Sequence, residues 1–179
     1  MKIGVDISQL AYKDTGVANY LGNLVKNLFT IDKENEYVLF FSSMRKTIPS
    51  FAEASTDKQN SRVQVRTFPF PPMLLNLLWN KLHVFPIEWL IGDVDVFITS
   101  DWTEPPTRRA KKATILYDLI IYKYPEETDR KIVQTQRRRL EWVKKESDII
   151  FCISESTKKD AMKILRIDDK KLRVIYPGM

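Results

Sequence analysis

Asp118 stands directly after an apolar run, Ala113 to Tyr117. A carboxylate there has two uses: it can orient a hydroxyl of a sugar, or cap the loop it begins. Three other stretches offer comparable groups. Asp14 to Asn19 carries Gly16, which lets backbone N–H groups approach a ligand, at the start of a helical pattern that presents positive potential to a phosphate. The same residues also read as an ordinary strand-to-helix connection. Ser100 to Pro106 includes Asp101 and Trp102, groups that can meet a sugar. Ser154 and Glu155 lie between another apolar run and a helix, where capping accounts for most of the pattern.

Other chemistry is denied by the residue types. The glycines at 4, 16, 22, 92 and 178 form neither G-x-G-x-x-G nor G-x-x-x-x-G-K-[ST], which argues against a nicotinamide enzyme and a P-loop nucleotidase. A single histidine and a single cysteine argue against a zinc site, and no disulfide can form within the chain. His83 reads as a packed or surface histidine and Cys152 as a core thiol. The α/β-hydrolase elbow G-x-S-x-G is missing. No cofactor is expected.

The elements that position these loops alternate strand and helix. Ile3 to Ile7 is a buried strand. Tyr20, Leu21, Leu24, Val25 and Leu28 then recur on one face of a helix. Tyr37 to Phe41 reads as a strand buried on both faces, and Arg62 to Thr67 as a half-buried strand near an edge. A short helix is expected near Pro49 to Ala54. Met73 to Leu82 is an apolar helix, with a second helical piece at Ile87 to Ile91. Further strands fall at Asp95 to Thr99, Ala113 to Tyr117, Asp148 to Ile153 and Leu172 to Tyr176. A long helix runs from Glu126 to Glu146 with acids in its first turn, and Thr157 with Asp160 resembles a capping box. Arg108 to Lys112 reads as a solvated basic turn. The fold class is α/β, a Rossmann-like, mostly parallel sheet flanked by helices, in which ligands sit at the carboxyl ends of the strands.

With 179 residues, 44% of them hydrophobic, the chain can bury one sizeable core. Twenty-nine Lys and Arg against 23 acids give +6, which suits a phosphate-bearing or anionic partner and equally a solvated basic surface. The stretch Met1 to Ser8 carries an acid at Asp6 and lacks a signal-peptide h-region, and no apolar run in the sequence is long enough to span a bilayer. The expectation is a soluble cytoplasmic protein, with Met73 to Leu82 read first as a helix packed on the sheet and second as a peripheral contact at the inner membrane face.

Taken in order, the motifs resemble the N-terminal half of the family 4 (group 1) glycosyltransferases, whose fold is the two-domain GT-B type. Gly16-Val-Ala-Asn-Tyr20 is similar to that family's glycine stretch. Trp79-Asn-Lys81 followed by Asp95-Val-Phe97 resembles its tryptophan-containing helix and next strand. Tyr117-Asp118-Leu119 with Tyr124-Pro125 resembles its H-D-L…Y-P segment. Cys152-Ile-Ser154-Glu155 and Val174-Ile-Tyr-Pro-Gly178 resemble its S-E loop and interdomain hinge. Two departures stand out: Tyr117 replaces the histidine before the aspartate, and Ile98 the histidine after D-V-F.

The resemblance implies an acceptor-side domain that shares a nucleotide sugar with a C-terminal domain absent from this chain. The reaction would transfer the sugar, with retention and without an essential metal, to a glycan or lipid-linked acceptor. It places the Gly16 loop near the diphosphate, with Asp118 and the Ser154 loop lining the cleft and Asp118 as the candidate catalytic residue. The sequence ends at the hinge, so the chain alone is expected not to transfer sugar. The competing reading is a non-catalytic binding or assembly module that kept the fold. Nucleic acid is not an expected partner, because Arg137-Arg-Arg139 and Lys144-Lys145 are interleaved with acids and no RNA-binding motif accompanies them.

Overall fold

In the computed structural model, residues 1–12, 14–45, 47 and 62–177 are described. Seven parallel strands form one sheet: β1 (Lys2–Asp6), β2 (Glu36–Ser42), β3 (Val63–Phe68), β4 (Val96–Thr99), β5 (Lys111–Leu116), β6 (Ile149–Cys152) and β7 (Leu172–Val174). Their order is β3-β2-β1-β4-β5-β6-β7. The chain therefore runs outward in one direction from β1 and in the other from β4, and the β1–β4 pair is the topological switch point. The strand with period-two alternation, β3, is at the edge, where Gln64, Arg66 and Thr67 are exposed. The expected helix near Pro49 to Ala54 lies outside the described residues, as does Gly178.

Alternation along the strands sends side chains to two layers. On one face Val5, Ile7, Leu39, Phe41, Ile115 and Tyr117 pack against α1 (Gly16–Ile31), which contributes Tyr20, Leu21 and Val25. On the other face Val38, Phe40 and Phe97 meet Trp79, Ile87 and Ile91. These come from α2 (Pro72–Leu75), which runs on as a wider π-helical stretch (Asn76–Lys81), and from α3 (Glu88–Ile91) with its preceding residue. Pro72, with its preset φ and missing N–H, starts α2 at no hydrogen-bonding cost. The same face continues over β5 to β7, where Leu116, Ile150, Cys152 and Leu172 pack against α5 (Arg130–Glu146) and α6 (Glu155–Asp160, running on through Ala161–Leu165). The short α4 (Ile120–Lys123) adds Ile121. Gly4 lets α3 and β4 close on β1: a Cβ there would lie 2.6 Å from Phe97 Cδ2 and 3.0 Å from Ile91 Cδ1.

Three expectations about local structure are corrected. The long helix begins at Arg130, because Pro125–Glu127 form a separate 3₁₀ turn and Asp129 caps α5 by accepting from the Lys131 and Ile132 amides. The cap of α6 is Ser154, whose hydroxyl accepts from Thr157 N at 3.1 Å, while the Thr157 hydroxyl donates to Tyr117 O at 3.0 Å. The basic turn reaches into β5, where Lys111 is exposed but Lys112 is 3% exposed and paired with acids. Among the described residues no helix is long and apolar enough to cross a membrane.

Candidate functional site

Three adjoining cavities lie where strands β1, β4, β5 and β6 end. The first, of about 510 Å³, opens at the start of α1 and is bordered by Gly16, Asn19, Tyr20, Tyr117, Asp118 and Pro177. Its geometry begins with Asp14, whose φ of 69° turns the chain. Thr15 then caps α1, its hydroxyl oxygen accepting from Ala18 N at 3.2 Å. Nothing lies within 4 Å of where a Cβ of Gly16 would be, so the first turn of α1 is open to approach and carries the positive end of a 16-residue helix. Tyr20 and Tyr117 meet edge to face, with ring centroids 5.6 Å apart, and the Tyr20 hydroxyl donates to Ile175 O at 3.1 Å. That bond holds the segment after β7 against α1.

A second cavity of about 180 Å³ shares Tyr117 and Asp118 with the first and adds Asp101, Trp102, Gln136 and Arg139. Asp118 is exposed, and its Oδ1 accepts from Ile120 N at 3.0 Å. The loop cap is thus made by one oxygen. Gln136 Nε2 donates to Asp101 O (2.9 Å) and Oδ1 (3.2 Å). Burial pushes the Asp101 carboxyl up. Arg139 opposes the shift, the nearby Asp118 charge adds to it, and the Gln136 hydrogen bond opposes it. The Tyr117 hydroxyl lies 3.3 Å from Ser100 Oγ, and its ionisation is pushed up by burial. At this position the ring forms a wall and the hydroxyl is already engaged.

The third cavity, about 330 Å³, lies at the switch point itself. The segment after β1 contributes Asp6, Ser8 and Gln9, the loop after β4 contributes Trp102 and Thr103, and Phe70, Met73 and Leu75 form an apolar side. Asn80 clasps the β4 loop: its Nδ2 donates to Trp102 O at 2.8 Å and its Oδ1 accepts from Glu104 N at 3.0 Å. Burial raises the Asp6 pKa. The Ser8 hydroxyl and amide counter that shift, Glu104 adds to it and Arg139 opposes it.

Beneath these cavities runs a buried ionic network. Glu104, fully buried, has Lys112 Nζ at 3.2 Å from Oε1, the Thr99 hydroxyl at 2.8 Å from Oε2, and Arg139 Nε at 3.8 Å. Arg139 also donates to Thr114 Oγ1 at 2.8 Å. Lys112 and His83 both bond Glu146 at 2.8 Å. His83 stacks on Trp142 at a 3.6 Å ring separation, its Nδ1 2.8 Å from Trp79 O, so the imidazole is packed away from the strand-end cleft. Among the described residues no group of three His, Cys, Asp or Glu could hold a metal ion.

Of the residues singled out in the sequence, Gly16, Asn19, Tyr117 and Asp118 share one cavity, and Asp101 and Trp102 join Tyr117 and Asp118 in the next. Ser154 serves as a helix cap, Glu155 is exposed, and neither lines the cavities. Sequence reasoning reached Thr103 and Glu104 only as part of the Ser100 to Pro106 loop, and it missed Asp6, Gln9, Lys112 and Arg139 as parts of the site. Asp6 did leave a signal: a carboxylate closing an otherwise apolar strand.

No family model matches the chain, and no curated protein matches it. Among solved structures the chain is similar to an alpha-glucosyltransferase in complex with UDP and a 13-mer DNA containing a HMU base. The two are 16% identical, with a TM-score of 0.50. The likeness is one of fold: the seven-stranded parallel sheet flanked by helices matches the Rossmann-like half of a GT-B architecture. All of this chain is covered, against 43% of that one, so it spans less than half the length of that structure.

Proposed function

We propose that this chain is the acceptor-side domain of a glycosyltransferase of the family 4 type. Such a domain would take a nucleotide sugar jointly with a second α/β domain and pass the sugar, with retention, to a glycan or lipid-linked acceptor. The observation that carries the reading is the open first turn of α1, facing a cavity that Asp118 and Tyr117 also border. The physical demand of glycosyl transfer is to stabilise charge on the departing diphosphate, and an exposed helix N-terminus supplies fixed positive potential there. Asp101 and Asp118, on the neighbouring cavity, supply acceptors for sugar hydroxyls.

Asp118 is the candidate catalytic carboxylate, and His83, the only histidine, is packed against Trp142 and takes no part. Arg139 and Lys112 are consumed by buried acids, which weakens a nucleic-acid reading. Met73, Leu82 and Trp89 are exposed on one stretch of chain that also carries the basic Lys81, which supports a peripheral contact with an anionic membrane face. Pelleting with anionic vesicles at low salt checks that contact, and no binding counts against it.

The reading is tested by titrating isotopically labelled protein with UDP. Shifts centred on the amides of Gly16 to Asn19 are expected; no shifts, or shifts confined to the opposite end of the sheet, overturn it. The 179-residue chain alone is expected to show no turnover with any nucleotide sugar. Turnover would overturn the need for a second domain, and UDP binding without turnover in a two-domain form would favour the non-catalytic binding module.

A further inference from the structure

The outer face of α5 carries six cations in two rows. Arg130, Arg137 and Lys144 form one row, and Lys131, Arg138 and Lys145 the other. Residues seven apart are close to two helical turns from each other, so each row runs along the helix with about 10.5 Å between its members. Successive residues are about 100° apart around the axis, which sets the rows at the two edges of one arc. All six cations are exposed, and none is in an ion pair among the described residues. In sequence they are interleaved with acids. In the fold Glu146 is paired with Lys112 and His83, which leaves Glu141 as the one exposed acid of α5. Six cations less Glu141 give this face +5, against +6 for the whole sequence. Glu126, Glu127 and Asp129 stand just before Arg130, so the field is strongest around Arg137, Arg138, Lys144 and Lys145.

The surroundings of the rows select the partner. Gln134 and Glu141 lie between them, so the face lacks the apolar centre of a stable protein interface. The apolar residues Val133, Leu140 and Val143 are in the core, which leaves nothing of that arc to enter an acyl layer. Single strands need open rings for their bases, and the rings here are capped. Arg137 lies over Tyr122, 5.2 Å from the ring centroid, and Lys145 over Trp142 at 4.7 Å. A double-stranded phosphate backbone needs only fixed positive charge. An α-helix is about 10–12 Å across and the B-form major groove about 12 Å wide, so cations at both edges of a helix face reach both phosphate walls. The A-form groove is too deep and narrow for this.

We propose that the outer face of α5 docks on duplex DNA, its two rows on the phosphates that flank the major groove, without reading the bases. Arg139 and Lys112 are buried and take no part. The contact is separate from the strand-end cavities and does not depend on the glycosyltransferase reading.

The test uses the full chain and fluorescence anisotropy with two labelled DNA duplexes of unrelated sequence, the matching RNA duplex and a DNA single strand. Both DNA duplexes bind alike, with affinity falling as salt rises and a log–log slope of about −4, the release expected for four phosphate contacts. Arg138→Gln and Lys144→Gln, one from each row, each reduce that slope by about one and weaken both duplexes equally. Both residues are exposed and outside every ion pair among the described residues, so the variants are expected to fold. Lys33→Gln, after α1 on the opposite face of the sheet, leaves the slope unchanged. No binding to either DNA duplex at low salt overturns the proposal, as does binding that the two glutamine variants leave intact. Equal or tighter binding of the RNA duplex or the single strand overturns it too. Binding to phosphatidylglycerol vesicles without binding to DNA overturns it in favour of lipid headgroups.

Discussion

Lys112 Nζ lies 3.2 Å from Glu104 Oε1, with both side chains sealed from solvent at 3% and 0% exposure. A charge pair this deep under a cleft is a condition of the local structure, because each partner would be an unpaired buried ion without the other. Glu104 also follows Thr103 in the loop clasped by Asn80, so the pair anchors the floor between two cavities. Lys112→Met leaves Glu104 with Arg139 at 3.8 Å and the Thr99 hydroxyl. The expected loss is about 3–5 kcal/mol, read as a fall in the urea midpoint. Adding Glu104→Gln to that variant should recover a large part of it.

Acid and neutral pH should expose two carboxylates with opposite signs. For Glu146, burial raises the pKa, but the Lys112 bond and charge and the His83 contact outweigh it and hold the group below its ordinary 4.5. A depressed acid stabilises above its unfolded pKa, and that stability is lost as pH falls through the folded pKa. Glu146→Gln should therefore melt lower than the wild type at pH 7, and the gap should close towards pH 3.

Asp6 runs the other way. Its folded pKa is raised above 3.8 by burial, so the folded state holds the proton more tightly than the unfolded chain. It costs stability as pH rises through that window. Asp6→Asn keeps an oxygen for Ser8 N and removes this cost. The variant should melt above the wild type at pH 7 and level with it near pH 3, by calorimetry. A carboxylate kept at such a cost suits a binding role.

Cys152 is fully buried and burial pushes its thiol up to about 11. Iodoacetamide at pH 8 should leave it unmodified in the native protein and label it fully in denaturant, by mass spectrometry. Native labelling at the denatured rate would show that β6 opens readily.

Gly4→Ala should cost about 1–3 kcal/mol, because the new methyl meets Phe97 and Ile91 at 2.6 Å and 3.0 Å. Pairing it with Phe97→Leu should relieve part of the loss, as seen in the chemical denaturation midpoint.

The sequence by itself determined the layers. Short, continuous apolar runs such as Tyr37 to Phe41, too short for a helix of ordinary length, fit strands covered on both faces, and the period-two run at Val63 marks the edge strand that β3 is. Local patterns also placed α1 and the loops that follow the strands, so Gly16, Tyr117 and Asp118 were singled out, and the three share a cavity. What only the tertiary structure decided was which charges are buried and which loops share a cavity. Lys112 and Arg139 read as surface cations, because side-chain type does not reveal that Glu104, on a loop from another strand, will meet them. Asp6 and Thr103, 97 residues apart, reach one cavity only because β1 and β4 pair at the switch point. Strand order is set by long-range packing, which no local period encodes, and the cavity at the switch point follows from that order.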